Sequence, residues 1–338
     1  MRRSDYILRK AMFALLTILA VIVSNFFLFR VLPGDPVKMV IHKARMTKEA
    51  QEAMRVEFGL DRPVWLNVER LEAGDWAGAF DTQFTAYVRN LAHGNLGVSF
   101  HSRRQVGDLL AERVGRTFLL LAGGELLAVV AGIVCGLLAA WRRGTRLDTA
   151  LLLWALFSWA LPTFFLGIIL LILARGHLPI GGMVTPGLKP EDGLAYWRDV
   201  GRHLILPTIT MAVVYTGEYI LLMRSSVVEV LSEAYILTAK AKGLSTRRIL
   251  SHHALKNAML PMVTVIALTL GYTVGGAIQV ETVFSWPGIG QLLEQAIGWR
   301  DFPLVMAIAV FTSLAVLAIN LLTDVAYAVI DPRIRYGH

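Results

Sequence analysis

Long apolar segments separated by shorter polar stretches dominate this chain of 338 residues. A helix needs about 20 mainly apolar residues to cross the hydrocarbon layer of a bilayer. Six segments meet that requirement, at residues 11–29, 117–141, 151–174, 204–223, 259–280 and 303–329. The pattern therefore predicts an all-α membrane protein with six transmembrane helices.

Composition supports the membrane interpretation. Hydrophobic residues make up 55% of the chain and charged residues only 17%, whereas soluble domains are about one-quarter charged. The net charge of +8 fits Lys and Arg retained on membrane loops better than nucleic-acid binding, so we expect no nucleic-acid partner. The single cysteine, Cys135, excludes an internal disulfide and a cysteine-based zinc cluster.

The basic residues also predict an orientation. Lys and Arg are concentrated in the loops 142–148 and 224–258, while the loop 281–301 contains only Arg300. Short loops rich in Lys and Arg stay on the cytoplasmic side. We therefore expect both termini and the two basic loops in the cytoplasm, with the apolar first segment as an uncleaved anchor.

The polar stretch between the first two spans predicts a small helical cap outside the cytoplasm. Residues 47–58 have apolar positions at helical spacing, followed by Gly59 to end the helix and Pro63 to prevent its restart. A second short helix is predicted around Val68, and Trp76, Phe80 and Phe84 are aromatic anchors for packing or for a partner. The predicted organisation is residues 1–32 for the tail and first span, 33–112 for the cap and 113–338 for a five-helix core.

Motifs for catalysis or cofactor binding are missing from the sequence. There is no Gly-x4-Gly-Lys-Ser/Thr phosphate loop and no zinc or calcium pattern. His252 and His253 are adjacent, but neighbours on a helix point about 100° apart and make a poor metal chelate. We expect no metal, no cofactor and no enzymatic activity in this chain.

Ionisable residues inside apolar spans are costly and often mark a transport path. Glu218 lies in the fourth predicted span and Asp324 lies near the end of the sixth. Glu218 either lines a polar path, together with Tyr215, or makes a structural hydrogen bond or ion pair. Close helix packing is predicted where two glycines are four residues apart, at Gly132 and Gly136 and at Gly271 and Gly275. We expect the fourth and fifth spans, with Gly271 and Gly275, to line the path.

The loop between the fourth and fifth spans predicts a short helix over residues 233–242. Glu233 suits the positive helix start, Lys240 and Lys242 suit its end, and Gly243 suits a left-handed terminating position. Small apolar residues lie at helical spacing on this charge-rimmed helix, namely Ala234, Leu237, Ala241 and Leu244. Such a surface fits a groove on another protein or the surface of a lipid bilayer.

Several stretches resemble a known family. Glu233-Ala234-Tyr235, Ala239, Gly243 and Leu260-Pro261 resemble the Glu-Ala-Ala loop of binding-protein-dependent ABC importer permeases. The chain looks like the dipeptide and oligopeptide branch in order along its length, at Pro33-Gly34-Asp35-Pro36, Phe58-Gly59-Leu60-Asp61-Arg62-Pro63, Gly94-Asn95-Leu96-Gly97-Val98-Ser99, Arg224-Ser225-Ser226, Ala254-Leu255-Lys256-Asn257-Ala258, Glu281-Thr282-Val283-Phe284-Ser285-Trp286-Pro287-Gly288-Ile289-Gly290, Arg300-Asp301-Phe302-Pro303 and Asp331-Pro332-Arg333-Ile334-Arg335.

The resemblance implies a type I ABC importer permease subunit in the bacterial inner membrane. It implies a second homologous permease, two ATPase subunits that bind ATP and Mg²⁺, and an extracytoplasmic binding protein as partners. The helix from Glu233 to Gly243 would be the coupling helix that docks on an ATPase. The loop containing Phe284, Trp286, Pro287 and Gly288 would lie near the outer mouth, or would be only a structural corner.

Three features depart from the family pattern. Residues 67–83 look like an insertion and Asn95 replaces an aspartate, which affects the surface expected to meet the binding protein. Glu218 stands where an uncharged residue is expected. A standalone ion-driven carrier or channel is the alternative function, and an intramembrane enzyme would need a catalytic pair such as Glu218 and Asp324.

Overall fold

The computed structural model describes residues 3–31, 56 and 61–330 and is helical throughout its regular elements. Its helices are α1 (Arg3–Val31), α2 (Val68–Glu72), α3 (Trp76–Ala79), α4 (Gln83–Ala92), α5 (Val106–Trp141), α6 (Arg146–Ala160), α7 (Thr163–Ala174), α8 (Leu194–Leu231), α9 (Ala234–Ala241), α10 (Thr246–Arg248), α11 (Leu255–Val283), α12 (Ile289–Trp299) and α13 (Phe302–Ile330). A π-helical turn, Ile249–Ala254, joins α10 to α11. The predicted all-α class is confirmed.

Four helices in the described part of the chain are long and apolar enough to span a membrane, namely α1, α5, α8 and α13. They contain the first, second, fourth and sixth predicted segments. The fifth predicted segment lies inside α11. α8 extends past its apolar segment at both ends, because polar residues continue the helix beyond the apolar run.

The third predicted segment is apolar enough to span a membrane, but it is not one continuous helix. It is divided into α6 and α7, which are bent by 101° at the break. Pro162 causes the break because a proline disfavours helical geometry at the residue before it. Leu161 accordingly adopts an extended conformation with ψ of 125°. The two halves form a broken span or a re-entrant segment.

The chain divides into two compact units. The first comprises Met1–Arg113 and Leu292–Leu314, and the second comprises Val114–Gln291 and Ala315–His338. Each unit is built around its own set of buried contacts.

The first unit has an aromatic centre on α1. The Phe26 ring packs against Trp65 and Phe84, each with a centroid separation of about 5 Å, and against Tyr87 at 5.5 Å. The Asn25 amide donates to the Tyr87 hydroxyl and to the Met306 carbonyl oxygen. Burial raises the pKa of the Tyr87 hydroxyl, which therefore stays protonated at physiological pH.

The short helix predicted around Val68 is α2, but the cap helix predicted over residues 47–58 lies almost entirely outside the described residues. Trp76 and Phe80 are exposed, whereas Phe84 packs on Trp65 with ring centroids 5.1 Å apart. Of the three predicted aromatic anchors, Phe84 is the one that packs on another ring in this described segment.

Asp301, at the start of α13, is hydrogen-bonded to the turn that begins at Ser99. Its side chain is 1% exposed and accepts hydrogen bonds from the Ser99 hydroxyl at 2.5 Å and from the Phe100 and His101 backbone amides at 3.1 Å. Charged acceptors of this kind stabilise buried amides strongly. Asp301 and Ser99 belong to two of the stretches that carry the family resemblance.

We expect Asp301→Asn to destabilise the first unit. An asparagine side chain has one acceptor oxygen, so at least one buried donor loses its partner, at a cost of about 1–3 kcal/mol. The measurement is the thermal unfolding of the purified chain in detergent. The exposed Asp61→Asn is the control, and equal unfolding midpoints for the two variants would contradict this role for Asp301.

Glycines bring the helices of the second unit into close contact. A Cβ atom on Gly132 would lie 3.2 Å from the backbone of Tyr219, and one on Gly136 would lie 2.9 Å from the Ile220 carbonyl oxygen. Backbone atoms cannot move out of the way of an added methyl group as the end of a flexible side chain can. The close approach predicted for Gly132 and Gly136 is confirmed, and the contact is between α5 and α8.

Candidate functional site

The connection between α8 and α11 forms the first part of the candidate site. α9 spans Ala234–Ala241, two residues shorter than the predicted helix, with Glu233 in the extended conformation at its N-cap. Gly243 has φ of +75° and its amide donates to the Lys240 carbonyl oxygen at 2.9 Å. The predicted left-handed termination is confirmed, and glycine supplies it without steric cost.

One face of α9 packs on its own chain. Ile236 and Ala239 are buried against Ile249 of the π-helical turn, with Leu231 and Leu244 alongside. The Asn257 amide of α11 donates to the Tyr235 hydroxyl at 2.6 Å. Ala239 and Leu244 thus hold the helix in place from inside.

The opposite face of α9 is open. Leu237 is 61% exposed, and Ala234 and Ala241 are exposed on the same helix. Lys240 and Lys242 are exposed at its C-terminal end. We call Ala234, Leu237, Lys240 and Ala241 the α9 outer face. This face carries one large apolar side chain, Leu237, beside two alanines and a positively charged lysine.

An ion pair lies behind this connection. The Arg224 guanidinium of α8 makes two hydrogen bonds to the Asp148 carboxylate of α6, at 2.6 and 2.8 Å. Both side chains are mostly buried. A bidentate pair of this kind fixes geometry as well as adding energy. It holds the start of α6 against α8 about two turns before α8 ends.

The second part of the site is the turn between α11 and α12. Phe284, Trp286 and Gly288 are buried, and Pro287 is half-buried. The Trp286 indole donates to the Arg116 carbonyl oxygen at 3.0 Å, and the Phe284 carbonyl oxygen accepts from the Gly182 amide at 2.9 Å. These contacts describe a structural corner, and contact of these side chains with a binding protein stays a prediction.

Glu281 holds that turn together through its hydrogen bonds, and the sequence analysis did not predict this role. Its side chain is fully buried, and it accepts from the Thr117 hydroxyl at 2.7 Å and from the Gln291 amide at 3.0 Å. The Thr117 oxygen in turn accepts from the Ile289 amide at 2.8 Å. A Cβ atom on Gly288 would overlap the Glu281 carboxylate, which explains why glycine stands there.

Gly288→Ala should therefore lower the stability of the chain, because the added methyl group displaces the Glu281 carboxylate from its buried partners. We expect a loss of about 1–3 kcal/mol, measured as the shift of thermal unfolding in detergent. Gly298→Ala is the matched control, since open space surrounds that position. Equal unfolding midpoints would show that the Glu281 cluster tolerates the methyl group.

The third part of the site lies among α5, α8 and α11. Glu218 and Tyr215 of α8 are both half-buried, so the structure places them on one partly accessible part of the helix. The next residue, Tyr219, is buried and its hydroxyl donates to the Glu125 carboxylate of α5. Gly271 and Gly275 lie on the backbone of α11, but their packing, like the side chain of Asp324, is outside the described residues.

Glu125 is the main residue that the sequence reasoning missed. It interrupts the apolar run of the second predicted span, so the rule that singled out Glu218 applies to it equally. Asp148 and Glu281 lie just outside the predicted spans and carried no such signal. Their roles depend on distant partners, at residues 224 and 117.

This arrangement defines a class of protein. Apolar helices that contain buried carboxylates, together with an exposed short helix after α8, describe a helical membrane protein. The chain belongs to the family described as binding-protein-dependent transport system inner membrane component, which matches residues 132–336. The N-terminal model of the same kind of membrane component matches residues 3–121.

Relatives match along nearly the whole chain. A putative peptide permease protein of Brucella suis is 36% identical over 335 residues, covering 98% of both chains. The dipeptide transport system permease protein DppB of Escherichia coli K12 is 33% identical, covering 98% of this chain and 99% of its own. The glutathione transport system permease protein GsiC of Escherichia coli is 34% identical with the same coverage.

A solved structure shares the fold. The MetNI methionine ABC transporter, in an inward-facing conformation, contains a chain that aligns with a TM-score of 0.54 and 16% identity. The alignment covers 66% of this chain and 96% of that chain. The chain therefore has the fold of an ABC permease, as the resemblance implied.

Proposed function

We propose that this chain is the permease subunit of an ABC importer that takes up dipeptides or oligopeptides. The observation that carries the proposal is the similarity, over 98% of the chain, to permeases named for peptide and dipeptide transport. The glutathione permease among the relatives is named for another peptide, so the shared substrate class is a short peptide. ATP and Mg²⁺ would bind to separate ATPase subunits.

The α9 outer face supports docking on an ATPase. A helix that exposes Leu237 beside alanines can insert into a groove, and the lysines at its end suit an acidic rim. Its inner face is already held by Ile236 and Ala239, so α9 moves together with the rest of the connection. A push or pull on α9 would pass to α8 and α11 through that packing.

The topology follows as part of the same proposal. Six spans result when α6 and α7 are counted as one broken span and α11 as another, alongside the four helices that qualify alone. The positive-inside rule then puts α9 and both termini in the cytoplasm and α2, α3 and α4 in an extracytoplasmic cap. The assembly would contain a second permease, two ATPase subunits and a binding protein.

Purification distinguishes this proposal from a standalone ion-driven carrier. A tagged copy of this chain would be expressed in the cells that naturally make it and extracted in mild detergent. We expect it to retain ATP-binding chains and a second permease. The purified assembly should hydrolyse ATP. A chain that purifies without partners and transports peptide alone in vesicles would support the carrier instead.

A further inference from the structure

The carboxyl group of Glu125 is buried with only one of its oxygens satisfied. The side chain is 4% exposed and Oε1 accepts the hydrogen bond from the Tyr219 hydroxyl. Within the part of the chain that the structure describes, Oε2 is buried and has no hydrogen-bond partner. A half-satisfied carboxylate in an apolar span is costly, so it calls for a further donor.

The hydroxyl groups around Glu125 are arranged to donate towards it. Thr269 of α11 is a second hydrogen-bond partner of the Tyr219 hydroxyl. With Thr269 donating to Tyr219 and Tyr219 donating to Glu125, the carboxylate is the last acceptor of the chain. Its free oxygen therefore needs a donor that does not belong to this trio.

A second carboxylate lies nearby. Glu218 of α8 is half-buried and directly precedes Tyr219, whose hydroxyl donates to Glu125. Tyr215, Glu218 and Tyr219 follow the i, i+3, i+4 spacing of one helix face. Two like charges in a low-dielectric region disfavour each other, and a cation close to both relieves the repulsion.

We propose that Glu125 and Glu218 bind the positively charged ammonium group of the transported substrate. Glu125 would accept one of its N–H donors, Glu218 would add attraction from the accessible side, and Tyr215 would offer an aromatic ring to the cation. Tyr219 is a positioning residue, since it holds Glu125 in place. The inference rests on the proposed peptide-import function and specifies which end of the peptide the permease recognises.

A metal ion fits this place less well than an ammonium group. Among the described residues there is no cluster of three His, Cys, Asp or Glu side chains that could hold a metal. An ammonium group needs only acceptors and an aromatic face, and these are what Glu125, Glu218 and Tyr215 provide.

The test compares two probes in the complete transporter reconstituted with its binding protein. Dialanine carries a free ammonium group, and N-acetyl-dialanine lacks it. We expect Glu125→Gln to lower the ratio of dialanine uptake to N-acetyl-dialanine uptake about tenfold or more, because the charge-assisted hydrogen bond is lost. The binding protein is the same in each assembly, so its own selectivity cancels when the ratios are compared.

Further variants separate binding from structure. Glutamine keeps an acceptor for the Tyr219 hydroxyl, so it preserves the local shape while removing the charge. Glu218→Gln should reduce the same ratio by a smaller factor, and it keeps the test available if Glu125→Gln does not assemble. Glu112→Gln, an exposed change on the same helix, should leave the ratio unchanged.

Each outcome decides something. An unchanged ratio in the Glu125 and Glu218 variants, even with slower uptake of both probes, would overturn the ammonium site and leave a purely structural role. If the wild-type assembly takes up neither probe nor any other short peptide, the proposed function fails and this inference fails with it.

Discussion

Gly243→Val should abolish ATP-dependent uptake while leaving the chain inserted in the membrane and bound to its second permease. Gly243 has φ of +75°, and a β-branched residue in the left-handed region costs at least about 1–2 kcal/mol. The cheapest relief is to unwind the end of α9, which shifts Lys240 and the rest of the α9 outer face. The measurement is uptake in membrane vesicles together with ATPase activity.

Gly176→Val is the matched control. Gly176 also has positive φ, +87°, with open space around it, but it lies far along the chain from α9. The same backbone strain should there leave uptake close to the wild-type rate. Loss of uptake in both variants would indicate a general folding defect, and normal uptake by Gly243→Val would contradict the docking role of α9.

A second variant acts on the surface instead of on the backbone. Ala234 is exposed at the start of α9, so Ala234→Glu adds bulk and negative charge without disturbing a buried contact. We expect the chain to insert normally and to lose most of its ATPase partners during purification. Retention of those partners would place the docking surface elsewhere on the chain.

Gly132→Ala should have the second-largest effect, on the packing of α5 against α8. The new methyl group would overlap the Cβ atom of Tyr219 and lie 3.2 Å from its backbone, so the two helices must separate. Overpacking of this kind costs about 1–3 kcal/mol, and it moves Tyr219 away from Glu125. Thermal unfolding in detergent and dipeptide uptake should both decline.

Gly115→Ala provides the comparison on the same helix. Gly115 has open space around it, so alanine there should be neutral or should stabilise the helix by up to about 1 kcal/mol. A Gly132→Ala chain as stable as Gly115→Ala would show that α5 and α8 do not pack as closely as the structure has them.

The sequence predicted most of the helices because apolar length is a strong local signal. The helices α1, α5, α8, α11 and α13 contain five of the six predicted segments, and Gly243 ends α9 as expected. The break at Pro162 was missed even though proline carries a known local signal. Apolar length alone made residues 151–174 look continuous.

The site was predicted less completely because its contacts join distant parts of the chain. Glu281 meets Thr117 across 164 residues, and Arg224 meets Asp148 across 76. No periodicity in the sequence contains such pairings. Glu125 is different, because an ionisable residue within an apolar run is visible in the sequence itself.

The sequence predicted the position of one α9 side chain correctly and did not predict the packing of another. Spacing placed Leu237 on an apolar face, and the structure leaves its side chain exposed. The family resemblance grouped Ala239 with the same helix, but Ala239 is 7% exposed and faces Ile249. Sequence spacing does not distinguish the two residues. The contact of Ala239 with Ile249 shows that Ala239 holds α9 in place, whereas Leu237 lies on its exposed face.

Uptake of labelled dialanine into proteoliposomes tests the central claim most directly. The vesicles would contain this chain, its second permease and the ATPase subunits, with the binding protein outside and ATP inside. The account predicts uptake that requires ATP, the ATPase subunits and the binding protein together. Dialanine uptake at the same rate without ATP or without the ATPase subunits would contradict it.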